Sequence, residues 1–389
     1  MLKIKKINNF NLTDKKVLVR LDLNIPFIKG KVLDDTRIKS AIPTIKEIIK
    51  KKGIPIVISH FGRPKGKRNK KFSLKKIINP LSKILRTKIL FCNQCIGLDV
   101  KKILKKVKPK QIVLLENLRF HNEELKNDLK FAKKLSEYCD IYINDAFSVS
   151  HRLHSSVNKI TQCLPSGIGK NMEKEIINLN KFLKKPKKPF TAIVGGAKMQ
   201  NKINLINALI KKCDYLILGG GVANTFLKSN NINIGKSIFE KKQIKNALAI
   251  QKKALINKCK IILPVDAAIS KKKRSVNIYK INKNNNILDL GKESVFQIIN
   301  IINKSKTIIW SGPLGYFEKK PYNYATNEIA NAINSKKKII SVVGGGDTIA
   351  ALKKNKKIKN FSFLSTGGGA FLNWIEKLTL PGIEILNKN

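Results

Sequence analysis

Short runs of β-branched and aliphatic residues alternate with lysine-rich stretches of helical spacing along the whole chain. The runs are VLVRLDL (17–23), IPIVISH (54–60), QIVLLEN (111–117), IYINDAF (141–147), FTAIVGG (190–196), YLILGGG (215–221), KIILPVD (260–266), KTIIWSG (306–312), KIISVVGGG (338–346) and FSFLSTGGG (361–369). They are nearly continuous in apolar character, so both faces of each strand need cover. Strands covered on both faces belong to parallel sheets with crossover helices above and below. Segments such as IKSAIPTIKEIIKKKG and KFAKKLSEYCD supply those helices. The pattern predicts an α/β fold: two doubly wound, Rossmann-like parallel-sheet domains joined by a hinge helix. In such sheets ligands bind beyond the carboxyl ends of the strands. The unusual residues of this chain fall there.

The domain boundary is expected near 165–190, where LPSGIGK leads into the helical NMEKEIINLNKFL and KKPKKP stops it with two prolines. This gives an N-terminal domain over 1–169, a hinge helix over 170–186, a second domain over 187–372 and a tail, 373–389, expected to return to the first domain. No run approaches about 18 uninterrupted apolar residues, so no membrane span is expected. The opening MLKIKKINNFNLTDKK lacks the apolar stretch and small-residue cleavage site of a secretory signal. A cytoplasmic protein is expected.

Rare residues mark the chemistry. Lysine and arginine number 79, yet only eight are arginine, and there are only four histidines. Most lie in RLDLN…TR, SHFGRP, ENLRFH and SHRLHSS, all within the first 155 positions. Guanidinium presents two parallel donors that match carboxylate and phosphate. The first half therefore reads as a site for a small, multiply charged anion. Arg68, Arg86 and Arg274 read as surface charge, and His121, His151 and His154 as packing or locally bonded residues. Asp22 has a plain alternative as a partner of Arg20.

The second half has no histidine but four glycine clusters after strands: Gly195-Gly196, Gly219-Gly220-Gly221, Gly344-Gly345-Gly346 and Gly367-Gly368-Gly369. Glycine lets backbone N–H groups approach phosphates or a flat base. GGGDTIAALKK adds a helix start with Asp347 and Thr348 near its cap, an anion seat with a carboxylate able to hold Mg²⁺. GGAKMQNK sets Lys198 and Lys202 four residues apart, as on one helix face. Neither G-x-x-x-x-G-K-[ST] nor G-x-G-x-x-G is present, so a P-loop enzyme and a standard dinucleotide binder are disfavoured. The six cysteines are widely spaced, and the single C-x-x-C (Cys92, Cys95) gives little support to a metal or redox site.

The net charge is +54. A basic nucleic-acid-binding protein is the alternative function that such charge raises. The basic residues form no stripe and lack interleaved aromatics, which favours drift toward lysine, asparagine and isoleucine over specific nucleic-acid binding.

In order along the chain, RLDLNIP, DDTRI, SHFGRP, LLENLRFH, YINDAF, SHRLHSS, GGAK, GGGVANTF, PVD, IIWSGPLGYFE, GGGDT and STGGGA closely resemble phosphoglycerate kinases from about residue 18 to 370. The resemblance implies phosphoryl transfer between 1,3-bisphosphoglycerate with MgADP and 3-phosphoglycerate with MgATP, by positioning and charge neutralisation without a covalent enzyme intermediate. It implies a substrate site of Asp22, Asn24, Arg37, His60, Arg63, Arg119 and Arg152. Arg37 and Lys198 are implied at the phosphoryl group in transfer. Lys198, Lys202, Gly219, Gly220, Gly221, Glu318, Gly345, Gly346, Asp347 and Thr348 are implied at the nucleotide, with Asp347 at Mg²⁺. Hinge closure and a monomer are implied as well. Ser148, Asn201, Ser311 and Ala325 depart from the usual family pattern, and Ser311 is the departure that bears on a nucleotide contact.

So large a like-charge excess strains the compact state, and salt screens it. The melting temperature is expected to rise from about 10 mM to about 150 mM monovalent salt. A flat or falling value in thermal scans contradicts the charge argument.

Overall fold

The computed structural model describes residues 4–28, 31–270 and 275–387, so Arg274 lies outside the described residues. The chain divides into two units, Met1–Ile177 with Thr379–Asn389, and Asn178–Leu378.

In the first unit, β1 (Lys16–Arg20), β2 (Ile54–Ile58), β3 (Ile89–Cys92), β4 (Ile112–Leu115), β5 (Ile141–Asn144) and β6 (Ser166–Ile168) form a parallel sheet in the order β3-β4-β2-β1-β5-β6. The two-residue period of a strand sends alternate side chains to two cores. Val17, Val19, Val57, Leu114 and Ile143 pack with Ile38, Ile45 and Ile48 of the helix Thr36–Lys50. Leu18, Ile56, Ile58, Val113 and Tyr142 pack on the other side with Val100 and Leu104 of Leu98–Lys106 and Phe131 and Leu135 of Leu129–Ser136. The strand order turns between β1 and β5, so the loops after these neighbours diverge and leave a crevice at their carboxyl ends.

In the second unit, β7 (Phe190–Val194), β8 (Tyr215–Leu218), β9 (Lys260–Ile262), β13 (Thr307–Ser311), β14 (Ile340–Gly344) and β15 (Phe363–Leu364) form a second parallel sheet, ordered β9-β8-β7-β13-β14-β15. A small antiparallel sheet, β11-β10-β12, joins Asp266–Ile269 (β10), Val276–Asn277 (β11) and Ile287–Leu290 (β12). The turning point here lies between β7 and β13, where the backbones nearly touch. A Cβ on Gly195 would stand 2.1 Å from the carbonyl oxygen of Pro313, and one on Gly312 (φ +101) 2.2 Å from that of Gly195. These glycines serve chain-to-chain approach.

The sequence pattern needs three corrections. KIILPVD is not one strand: β9 stops at Ile262, Pro264 cannot donate to a ladder, and the chain resumes at Asp266 in the other sheet. The apolar runs also overreach, because their glycine and polar ends are the loops beyond the carboxyl ends. Finally, β3 and β6 had no assigned run: β3 is a half-buried edge strand, and β6 is only three residues long.

A helix spans Lys170–Leu183, and the division between units falls inside it, after Ile177. Buried Asp145 accepts a hydrogen bond from the Met172 N–H at 2.9 Å in its first turn. The second unit extends to Leu378, so the returning tail starts at Thr379 and not at 373. In the tail, the Gly382 N–H donates to the Ser150 carbonyl at 2.8 Å, and Ile383 and Leu386 are buried.

Burial pushes the Asp145 carboxyl from its ordinary 3.8 up to about 7, against hydrogen bonds from Thr44, Met172 and Asn171. With the native value above the unfolded one, the folded state holds the extra proton between these limits, and stability falls as pH rises through them. The difference in unfolding free energy between wild type and Asp145→Asn should therefore change steadily from about pH 4 to about pH 7, to the relative disadvantage of wild type. A difference independent of pH in urea titrations refutes this.

Candidate active site

In the first unit the functional side chains follow strand carboxyl ends. Asp22 and Asn24 follow β1, His60 and Arg63 follow β2, Arg119 follows β4 and Arg152 follows β5. Arg37 comes from the first turn of Thr36–Lys50. Asp22 Oδ1 accepts from the Arg37 guanidinium at 3.3 Å and from the Asn24 N–H at 3.1 Å. Arg37 also donates to the Asn24 carbonyl, and Asn24 Oδ1 accepts from the Gly62 N–H at 2.9 Å. These bonds tie the β1 and β2 loops to the helix. Asp22 thus pairs with Arg37 and not with Arg20. Ser148, one of the departures, donates to Asp22 Oδ2 and so restrains that carboxylate.

Arg119 donates to the Gly62 carbonyl at 2.8 Å, and its Nε is buried with no protein partner. Burial first, then Arg20 and Arg152, with a further contribution from Arg63, pull the Arg119 guanidinium down to about 10. Burial and then Arg63 pull Arg152 down as well. Arg20, Arg63 and Arg152 thus each place a positive charge within electrostatic reach of Arg119. Burial, then Arg20, Arg119 and Arg37, hold His60 well below the usual imidazole value, so it is neutral. His151 falls to about 4, by burial and Arg152, and His154 to about 3, by burial and then Arg119. Crowded guanidiniums with an unpartnered buried N–H form a cradle for an anion with several oxygens. His121 stacks near Phe131, with centroids 5.2 Å apart, outside this group. Arg68 is exposed, and Arg86 is the left-handed C-cap of Ile78–Leu85.

Sequence reasoning missed Arg20, Ser156 and Glu124 as site components. All three are fully buried. Arg20 stood out by rarity, but nothing local announces that its partners lie far along the chain.

In the second unit a cavity of about 440 Å³ opens beside the ends of β7, β8 and β13. Gly196, Gly220 and Gly221 form one wall; Leu288, Leu314 and Phe317 contribute apolar surface; Glu318 and Asp347 bring carboxylates to it. Gly219 does not line the cavity: a Cβ there would meet Leu314 at 2.5 Å. The helix Gly346–Lys354 starts from Gly345 at φ +99, leaving first-turn N–H groups and the positive dipole end available to an anion. Thr348 is buried, and its hydroxyl is engaged by the Gly312 N–H at 2.6 Å and the Gly344 carbonyl at 3.1 Å. Asp347 beside it is exposed.

Lys198 and Lys202 do not share a helix face. The helix Ile203–Leu209 begins only after Lys202, and Lys198 sits in the exposed loop after β7. The Gly195-Gly196 approach to β13 holds this stretch in a turn. Lys202 Nζ donates to Ser311 Oγ at 2.7 Å, and burial pulls it down to about 8, with Asp347 acting in the opposite direction. Ser311 therefore anchors a lysine. Ala325 is fully buried, and its N–H donates to Asp289 Oδ2 at 3.0 Å; Asn201 is exposed. Asp289, also absent from the sequence reading, lies beneath the cavity and is pushed up to about 8 by burial.

Among the described residues no group of three or more His, Cys, Asp or Glu could hold a metal ion. A lone carboxylate beside a phosphate seat suits Mg²⁺, which takes one or two protein carboxylates plus substrate phosphates. Cys92 and Cys95 are buried free thiols whose titration burial pushes up.

A sequence profile described as phosphoglycerate kinase matches residues 7–377. The chain is 44% identical over 391 residues to the phosphoglycerate kinase of Ruegeria pomeroyi, covering 98% of each chain. It is 44% identical over 396 residues to that of Orientia tsutsugamushi (strain Ikeda), covering 99% of this chain and 98% of that one. The solved phosphoglycerate kinase of Coxiella burnetii superposes with a TM-score of 0.87 at 37% identity over 99% of both chains. That of Pyrococcus horikoshii OT3 gives 0.86 at 29% identity over 98% of both. Family profile, relatives and fold together define a phosphotransferase. The chain belongs to the phosphoglycerate kinase family, and nothing in these matches supports the nucleic-acid alternative.

Proposed function

We propose that the protein transfers a phosphoryl group reversibly between 1,3-bisphosphoglycerate with MgADP and 3-phosphoglycerate with MgATP, as a cytoplasmic monomer in glycolysis. The observation that carries this reading is the arginine cradle with its unpartnered buried Arg119 Nε, built on family motifs.

Arg63, Arg119 and Arg152 clamp the phosphate that stays. Asp22 and Asn24 orient the hydroxyl and carboxyl end, and His60 contributes a neutral ring to the same site. Arg37 meets the moving phosphoryl group from the acid side and Lys198 from the nucleotide side, with Lys202 as a further cation. Gly220 and Gly221 flank adenine, with Gly219 shaping that wall, and Glu318 accepts hydrogen bonds from the ribose hydroxyls. Gly345, Gly346 and Thr348 form the phosphate-binding helix start. Asp347 is the residue to hold Mg²⁺, which neutralises phosphate charge when bound.

The substrate carboxylate oxygen and the ADP oxygen exchange the phosphoryl group directly and in line, so no protein nucleophile is needed. Positioning and charge neutralisation supply the rate. Water must be kept from the acyl phosphate, which calls for closure about the Lys170–Leu183 helix as hinge once both substrates bind.

A coupled assay should detect ATP formation from 1,3-bisphosphoglycerate, and its absence in folded protein ends the proposal. Arg37→Ala and Lys198→Ala should each lower turnover by roughly 10²–10³; near-normal turnover in both refutes their assignment. Small-angle scattering should show a smaller radius of gyration with both substrates bound than without them, and an unchanged radius refutes closure.

A further inference from the structure

Arg20 is an arginine of the first unit with no exposed surface, and the proposed chemistry gives it no direct part. Its guanidinium is bonded on all sides. Nε donates to Ser156 Oγ at 3.1 Å, one terminal nitrogen donates to the Leu21 carbonyl and to Ser59 Oγ at 3.4 Å, and the other lies 3.0 Å from His60 Nδ1. Guanidinium has donors and no acceptor. His60 Nδ1 therefore accepts, and the single proton of the neutral ring resides on Nε2.

Behind Arg20 the bonds continue in one direction. Ser156 Oγ accepts from Arg20 and donates to Glu124 Oε1 at 2.6 Å, while the Ser156 N–H donates to Glu124 Oε2 at 2.9 Å. The Tyr142 hydroxyl holds the Ser156 carbonyl at 2.6 Å. Glu124, Ser156 and Tyr142 are fully buried. His154 Nδ1 lies 3.8 Å from Glu124 Oε1, and Arg119 also faces this carboxylate. Glu124 is the largest favourable partner of the Arg20 charge, ahead of Tyr142 and Asp22, and opposes the cost of its burial. A buried ion pair is a weak source of stability, whereas a fixed orientation is what such a pair does supply.

We propose that Glu124 is a positioning residue: through Ser156 and Arg20 it fixes His60 with its proton on Nε2, so that the substrate site offers an uncharged N–H donor to a phosphate or carboxylate oxygen. The proposal rests on the functional reading above only for what His60 donates to. The relay orders two otherwise independent requirements. His60 must not carry charge beside Arg20, Arg119 and Arg37, and it must still donate.

The test is nitrogen-15 NMR of the histidine side chains in the full-length protein, with His60→Asn used to assign the signal. The expected result is a protonated-type Nε2 and an unprotonated-type Nδ1, unchanged from about pH 5 to about pH 8. Ser156→Ala, which deletes one hydroxyl, and Glu124→Gln should mix the tautomers. Both should raise KM for 3-phosphoglycerate about tenfold with little change in KM for MgATP. An Nδ1–H or imidazolium form of His60 in wild type overturns the proposal. So does a folded Ser156→Ala protein with a single unchanged tautomer and unchanged KM, or with equal losses for both substrates. If Glu124→Gln does not fold, Ser156→Ala and the wild-type spectrum decide alone. Wild type that shows the expected tautomer yet has no activity with 3-phosphoglycerate overturns the functional reading and upholds the tautomer assignment.

Discussion

Guanidinium groups held close together with little carboxylate between them are the condition on which the first unit depends. Arg20, Arg63 and Arg152 all lower the proton affinity of Arg119, and among the described residues Glu124 and Asp22 are the carboxylates that favour the Arg20 charge. Free chains would not keep such groups together. The parallel sheet does, because β1, β2, β4 and β5 end side by side and each delivers one loop to the same edge. Neutral histidines complete the cradle without adding charge. An anion with several oxygens placed among these groups would relieve that repulsion.

The second unit solves a different problem with the same architecture. Its cavity is mostly apolar, and close backbone approach shapes the cavity edge more than charge does. Gly195 and Gly312 let two loops meet with no side chain between them, and the cavity opens beside that junction. The charged groups stay few: Glu318 and Asp347 at the cavity, and Lys202 tethered to Ser311. That tether gives the serine departure a structural purpose, since it fixes the direction of a partly buried lysine.

Acidic residues are scarce, 25 against 79 basic ones, and five of the buried ones share a function. Glu116 accepts from the Leu74 and Asn117 N–H groups, Glu124 from Ser156, Asp145 from Met172, Asp266 from Glu293 and Ser294, and Asp289 from Leu290 and Ala325. Each anchors a loop or helix start by its backbone. Most lysines lie outside, where water and salt screen them. The large net charge therefore describes the surface, while the buried carboxylates are held by backbone hydrogen bonds.

The sequence by itself determined the strand and helix alternation, the parallel class and the placement of the rare residues beyond strand ends. Those signals are local: a period of two or 3.6 residues and a motif at the end of a run are visible within one segment. Only the tertiary structure decided which of those residues share a site. It separated Lys198 from Lys202, split KIILPVD between two sheets, paired Asp22 with Arg37, and buried Arg20 against Ser156, 136 positions away. Burial and pairing follow from which strands lie side by side, and strand order joins segments that no short window of sequence contains.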